Sequence, residues 1–211
     1  NIAATCEKIL QEVRNLQRSE IQEAGEGFDI EKQVGSSTMA HKKNPIKSEN
    51  ASGLARIVRS MIIPTYENAL LWHERDLANS SSERFTLSHG SALCEDVIAK
   101  TRDVLTNMWV DAERCLENIK SQRGLVMAEK VMIDLVEHGI PRDEAHEILR
   151  EASFAAVANK EELIDVCSRT PAISAAFSAE ELEAMFDPAN HIGVSGELVD
   201  ECVALARAAI K

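Results

Sequence analysis

Side chains able to do chemistry gather in two stretches of this chain. The first, QVGSSTMAHKKNP at residues 33–45, sets Ser36, Ser37 and Thr38 beside His41, Lys42 and Lys43, opens at Gly35 and closes on Asn44-Pro45. Successive backbone amides of a glycine-opened loop can cradle an anion, and the two lysines add charge to the cradle. A turn at Gly35, local hydroxyl hydrogen bonds and a helix start at Asn44-Pro45 account for the same residues without a ligand. The second stretch, WHERDLANSSSER at residues 72–84, places Arg75 and Arg84 on either side of Ser80, Ser81 and Ser82. Just ahead of a helix, two guanidinium groups and a run of hydroxyls make a phosphate or carboxylate clamp. The alternative is an ion pair of Arg75 with Glu74 or Asp76, with Ser82 as a helix cap.

Other reactive residue types offer less. His73-Glu74 begins the HExxH zinc pattern, but its second histidine would fall on Leu77. Cys6, Cys94, Cys115, Cys167 and Cys202 are scattered and include no CxxC pair, so neither a disulfide framework nor a metal site is expected. His89, His138, His146 and His191 read as structural or solvent-exposed, and His41 alone stays open. The 23 Lys+Arg against 35 Asp+Glu give a net charge of −12, which disfavours non-specific attraction to nucleic acid or to an anionic membrane. An anionic ligand must therefore be held by a local cation cluster. No apolar run approaches the ~20 residues that span a bilayer, and a cytoplasmic protein is expected.

The elements that would position these groups read as helices. Ile2, Cys6, Ile9, Val13 and Leu16 alternate four and three apart, a seam for shallow helix packing. The pattern breaks from Ser19 to Lys43, which predicts a long loop of the functional kind. Pro45 suits the start of a helix with Leu54, Ile57, Val58, Met61 and Ile62 as its stripe, and Pro64 should end or kink it. A further helix is expected from about Glu83 to Val110, burying Cys94, Val97, Ile98, Leu105 and Met108. Beyond Asp111 the helices shorten: Leu125–His138 stops at Gly139, Pro141 starts the next, and Ser178 with Glu181 forms a capping box. With 4% aromatics and little alternation, a substantial sheet is not expected. The expected fold is all-α, with antiparallel long-helix bundle segments over 1–110, including a loop at about 19–44, and a small C-terminal helical domain over 111–211. The chain opens inside an apparent helix without Met, so an N-terminal domain and the first part of the bundle are expected to lie outside it.

GSSTMAHKKNP resembles the signature loop of the fumarase–aspartase superfamily, usually written GSSxMPxKxNP. The flanking NPIKSEN, WHERDLANSSSERF, RGLVMAEKVMIDLVEHGIPRDEAHEILREA and DPANHIG are similar to the adenylosuccinate lyase branch, so the resemblance covers nearly the whole chain. It implies β-elimination that releases fumarate from a succinyl-purine nucleotide, with no cofactor and no metal. Position by position, the resemblance makes Ser36 the general base, Lys42 an electrostatic and succinyl contact, and Glu49 the carboxylate that orients a catalytic histidine. Asn44, with Lys42, would contact the succinyl part of the substrate; Ser37, Thr38 and Met39 would bind substrate, and Arg75, Ser80 and Arg84 would hold the nucleotide and its phosphate. It further implies a homotetramer whose sites draw on three subunits, and a general-acid histidine that none of the six here matches. This chain alone is thus expected to be inactive.

Two positions depart from the pattern. Ala40 stands where proline is usual, which relaxes a φ restraint by a few tenths to about 1 kcal/mol of entropy, and His191 stands where tyrosine is frequent. The alternatives are another fumarate-releasing relative, such as an argininosuccinate lyase, and a non-catalytic helical assembly module that keeps only the bundle surface.

Overall fold

The computed structural model describes residues 1–27 and 43–210. Among the described residues the regular structure is helical apart from one short strand pair, and the chain forms two compact units, Asn1–Cys115 and Leu116–Lys211. The first contains α1 (Ile2–Leu16), β1 (Ala24–Gly25), α2 (Ile46–Ser60), α3 (Ile62–Glu67), α4 (Ala78–Asn107) and β2 (Trp109–Val110). Helix α5 (Ala112–Ser121) spans the junction of the units. The second continues with α6 (Ala128–Glu137), α7 (Arg142–Asn159), α8 (Leu163–Arg169), α9 (Pro171–Ala176), α10 (Ala179–Phe186) and α11 (Ser195–Ile210).

In the first unit α1, α2 and α4 pack on one another as a three-helix bundle. Their polarity follows from named contacts. Glu7 near the start of α1 pairs with Arg56 and Arg59 near the end of α2, whereas Gln17 at the end of α1 reaches Lys43, just ahead of α2. Lys47 pairs with Asp103, and Lys100 donates to Asn50, so α2 runs antiparallel to α4 as well. The Arg59 guanidinium, with Arg56, holds the Glu7 carboxyl below its ordinary value.

The buried seam is narrower and built of smaller residues than the sequence predicts. In α1 it is Ala3, Cys6, Leu10 and Val13, and Ile2 is exposed. In α2 it is Ser48, Ala51, Ser52 and Ala55, which let the helices approach closely, while the expected Ile57 and Ile62 face outward. In α4, Val97, Thr101 and Val104 are buried, and Ile98 and Leu105 are not. Three helices enclose only one stripe of each, so the larger apolar groups flanking each stripe stay on the surface. Pro64 acts as expected. It has no amide to give the carbonyl four residues back, and α2 stops at Ser60.

The loop after α1 contains a short antiparallel pairing not foreseen in the sequence, Ala24 with Val110 and Gly25 with Trp109. Here glycine is required by close approach: a Cβ on Gly25 would sit 2.6 Å from the Trp109 ring.

The second unit has one continuous core, including Val131, Leu135, Leu149, Leu163, Ile173 and Leu182. Gly139 ends α6 in the left-handed region at φ 92°, and Pro141 caps α7. Ser178 and Glu181 form the expected capping box at α10. Burial in this core pushes the Cys167 thiol up to about 11.

Candidate active site

Ser36, Ser37, Thr38, Met39, His41 and Lys42 lie outside the described residues, as does Ala40. What the structure describes is the frame on either side of them, and it is built by α1, β1 and α2. Gln17, just past α1, spans the frame. Its amide nitrogen donates to the Lys43 carbonyl at 3.0 Å, and its oxygen accepts from the Glu26 amide at 2.9 Å. Glu26, only 5% exposed, turns its carboxylate onto the start of α2. It accepts from the Lys47 amide at 3.0 Å, and from the Ser48 amide and hydroxyl at 2.9 Å each. A carboxylate at a helix N-terminus both satisfies orphan amides and complements the helix dipole.

Asn44 and Glu49 follow directly from this frame. Asn44 is half-buried ahead of the Pro45 cap, and Glu49 stands exposed in the first turn of α2. Both line one cleft of about 930 Å³, together with Arg14, Arg18, Lys43 and Trp109. Its polar lining, with three cations against one carboxylate, suits an anionic ligand in a chain that is acidic overall.

The second cluster lies elsewhere. Helix α4 begins at Ala78, about five residues earlier than the sequence suggests, so Ser80 and Arg84 sit inside the helix and Ser82 is not its cap. Asp76 takes the capping part: its carboxylate accepts from Ala78 at 2.8 Å and from Trp72 at 2.9 Å, and the Ala78 amide first, then Trp72, holds it below its ordinary value. The Ser80 amide is committed to the Leu77 carbonyl. Two amides of the first turn of α4 are thus already used, while Arg75 and Arg84 are exposed and in no ion pair among the described residues. Asn79, beside them, is buried with its Oδ1 unpartnered among the described residues.

Asn44 and Glu49 do not meet the Arg75–Arg84 cluster within one chain. Asn107, at the far end of α4, lies against Gly27, next to the frame around Asn44. From Arg84 to Asn107 the helix rises roughly 35 Å at ~1.5 Å per residue. Asn44 and the Arg75–Arg84 cluster therefore occupy opposite ends of the bundle. Among the described residues no group of His, Cys, Asp and Glu could hold a metal ion, and no helix is long and apolar enough to cross a membrane.

Residues 1–60 match a family profile described as "Lyase", and residues 124–202 one described as "Adenylosuccinate lyase C-terminus". The adenylosuccinate lyase of Archaeoglobus fulgidus is 43% identical over 203 residues, 96% of this chain and 46% of that protein. That of Methanothermobacter thermautotrophicus is 43% identical over 200 residues, 95% and 44% of the two lengths. The chain belongs to the adenylosuccinate lyase family, matching its C-terminal part. It spans less than half the length of these adenylosuccinate lyase relatives. Among solved structures, the 3-carboxy-cis,cis-muconate lactonizing enzyme of Pseudomonas putida superposes with a TM-score of 0.83 at 30% identity, over 96% of this chain and 44% of that one. A fumarate lyase of Mesorhizobium gives 0.82 at 26% identity, over 95% and 43%.

The frame flanks residues 28–42, which contain most of the stretch that resembles the signature loop. Gln17 and Glu26 escaped the sequence reading because neither lies in the signature. The one available signal was an acidic residue between two glycines, Gly25-Glu26-Gly27, just upstream of it.

Proposed function

We propose that this chain supplies part of the active site of an adenylosuccinate lyase, which cleaves adenylosuccinate to AMP and fumarate in purine biosynthesis. The succinylated carboxamide ribotide of the same pathway would be its second substrate. The observation that carries this reading is the cleft in which Asn44 and Glu49, two residues matching the signature region, stand together among cations. Ser36 acts as the general base, taking the proton from the succinyl carbon beside a carboxylate. The resulting carbanion is stabilised as that carboxylate gathers charge, and the C–N bond then breaks to release the purine-side amine. A serine hydroxyl is a weak base at neutral pH, so cationic surroundings are needed to favour its alkoxide, and Lys42 supplies them. Glu49 orients the general-acid histidine, and Arg75, Ser80 and Arg84 bind the nucleotide phosphate.

The opposite placement of Asn44 and the Arg75–Arg84 cluster supports a homotetramer in which each site takes the Asn44 end of one copy and the Arg84 end of another. The test is fumarate release from adenylosuccinate by the full-length parent, beside the same protein carrying Ser36→Ala. An active parent and a variant slower by about 10²–10⁴-fold, both equally assembled, is the expected result. An assembled parent inert toward adenylosuccinate overturns the substrate, and argininosuccinate is then assayed next.

A further inference from the structure

We infer that Gln17 and Glu26 are positioning residues for the elimination: they fix Asn44 and Glu49 in the cleft by holding the backbone on either side of residues 28–42. The inference rests on the functional reading above.

Three features carry it. Gln17 uses both ends of its amide, one toward Glu26 and one toward Lys43, so a single side chain sets the separation of two chain segments seventeen residues apart. Glu26 then uses both carboxylate oxygens on consecutive amides of α2, which fixes the rotation of the turn that presents Glu49. Ser48, fully buried, adds its hydroxyl to the same carboxylate, and its carbonyl accepts from Ser52 at 2.7 Å. The chain from Gln17 through Glu26 to Ser48 is therefore continuous from the end of α1 into the core of α2.

A simple cap would need only one acceptor, and burying a carboxylate is costly unless its hydrogen bonds are made. Here the buried carboxylate takes three donors without a salt-bridging cation in hydrogen-bonding distance among the described contacts, an arrangement that selects geometry over charge neutralisation. Asn44 lies one residue from the Lys43 carbonyl and Glu49 one residue from Ser48, so an error in either anchor passes directly to a group in the cleft. Displacements near 1 Å of groups that align a reaction cost about 10²-fold in rate.

The experiment uses the full-length enzyme with Gln17→Met, which keeps the bulk and removes both hydrogen bonds, and Glu26→Gln, which puts an amide nitrogen against amide donors. Ser178→Ala, which removes a helix cap in the other unit, controls for lost stability. Steady-state kinetics on adenylosuccinate are read beside hydrogen exchange of the 43–49 segment. The expected result is a kcat lower by about tenfold or more in both variants, a KM within about threefold, faster exchange at Lys47 and Ser48, and an unaltered kcat in the control. A kcat unchanged in the two variants despite a lowered melting temperature, or a control that loses kcat equally, overturns the inference and leaves Gln17 and Glu26 as plain stabilising contacts. A parent inert toward adenylosuccinate overturns the functional reading on its own. In that case the exchange data still decide the anchoring: faster exchange confined to 43–49 supports it, and unchanged exchange overturns it.

Discussion

At position 27 a side chain has no room. A Cβ there would lie 2.2 Å from the Asn107 carbonyl oxygen, a backbone atom that cannot swing aside. Gly27 follows Glu26 and meets the end of α4, so crowding at this point pushes against the frame of the candidate site. Gly27→Ala is expected to destabilise the protein by about 1–3 kcal/mol through overpacking, measured as a shift of the denaturant midpoint at constant slope. A midpoint equal to the parent's would show that the end of α4 yields easily. The same scale explains why Glu26 was not legible in the sequence. An isolated glutamate is most often a solvated surface charge, and only the fold shows that its carboxylate is surrounded by the Lys47 and Ser48 amides.

Among the elements, the helix ends were well marked in the chain and the buried faces were not. Pro64, Gly139, Pro141 and the Ser178–Glu181 box act through local backbone chemistry, and each ends or starts a helix where expected. The start of α4 was misplaced because Asp76, two residues ahead of the helix, does the capping in place of a serine. At α10, the Ser178 amide and then its hydroxyl hold the Glu181 carboxyl below its ordinary value near 4.5. A lowered carboxyl contributes stability that is present above the ordinary value and is lost as pH falls through the lower, folded one. Removing the cap with Ser178→Ala should cost about 1 kcal/mol at neutral pH. Glu181→Gln should likewise destabilise at neutral pH, with a penalty that fades below about pH 4.5. Thermal melts across pH 3–7 read both effects, and a Glu181→Gln penalty that persists at pH 3 would mean the charge is not what α10 uses.

For the whole molecule, the bundle separates the groups that the functional reading needs together. The Asn44 cleft and the Arg75–Arg84 cluster stand at opposite ends of a helix thirty residues long, and Ile57 on α2, Ile62 on α3 and Leu87, Ile98 and Leu105 on α4 leave exposed apolar surface on this unit. Association of copies along such a surface would bring unlike ends together and cover exposed apolar groups. Two full-length variants, Ser36→Ala and Arg84→Ala, should each be impaired alone. Unfolded together and refolded, they should regain up to about a quarter of the parent's rate if copies mix at random, because some sites then receive both intact ends. Mixed assemblies that regain nothing would place both clusters of a site on one chain.

The sequence by itself determined the helical class, most helix boundaries and the lyase resemblance, since these depend on local backbone preferences and on a contiguous stretch around the signature. Tertiary structure alone decided which stripe of each helix is buried, because the close approach of α1, α2 and α4 favours Ala51, Ser52 and Ala55 over the larger residues beside them. It alone also decided the pairing of β1 with β2, the hydrogen bonds of Gln17 and Glu26, and the separation of the Asn44 cleft from the Arg75–Arg84 cluster. Each of these joins residues far apart in the chain, and a separation in space is not encoded by any spacing in sequence until the helices between them have packed.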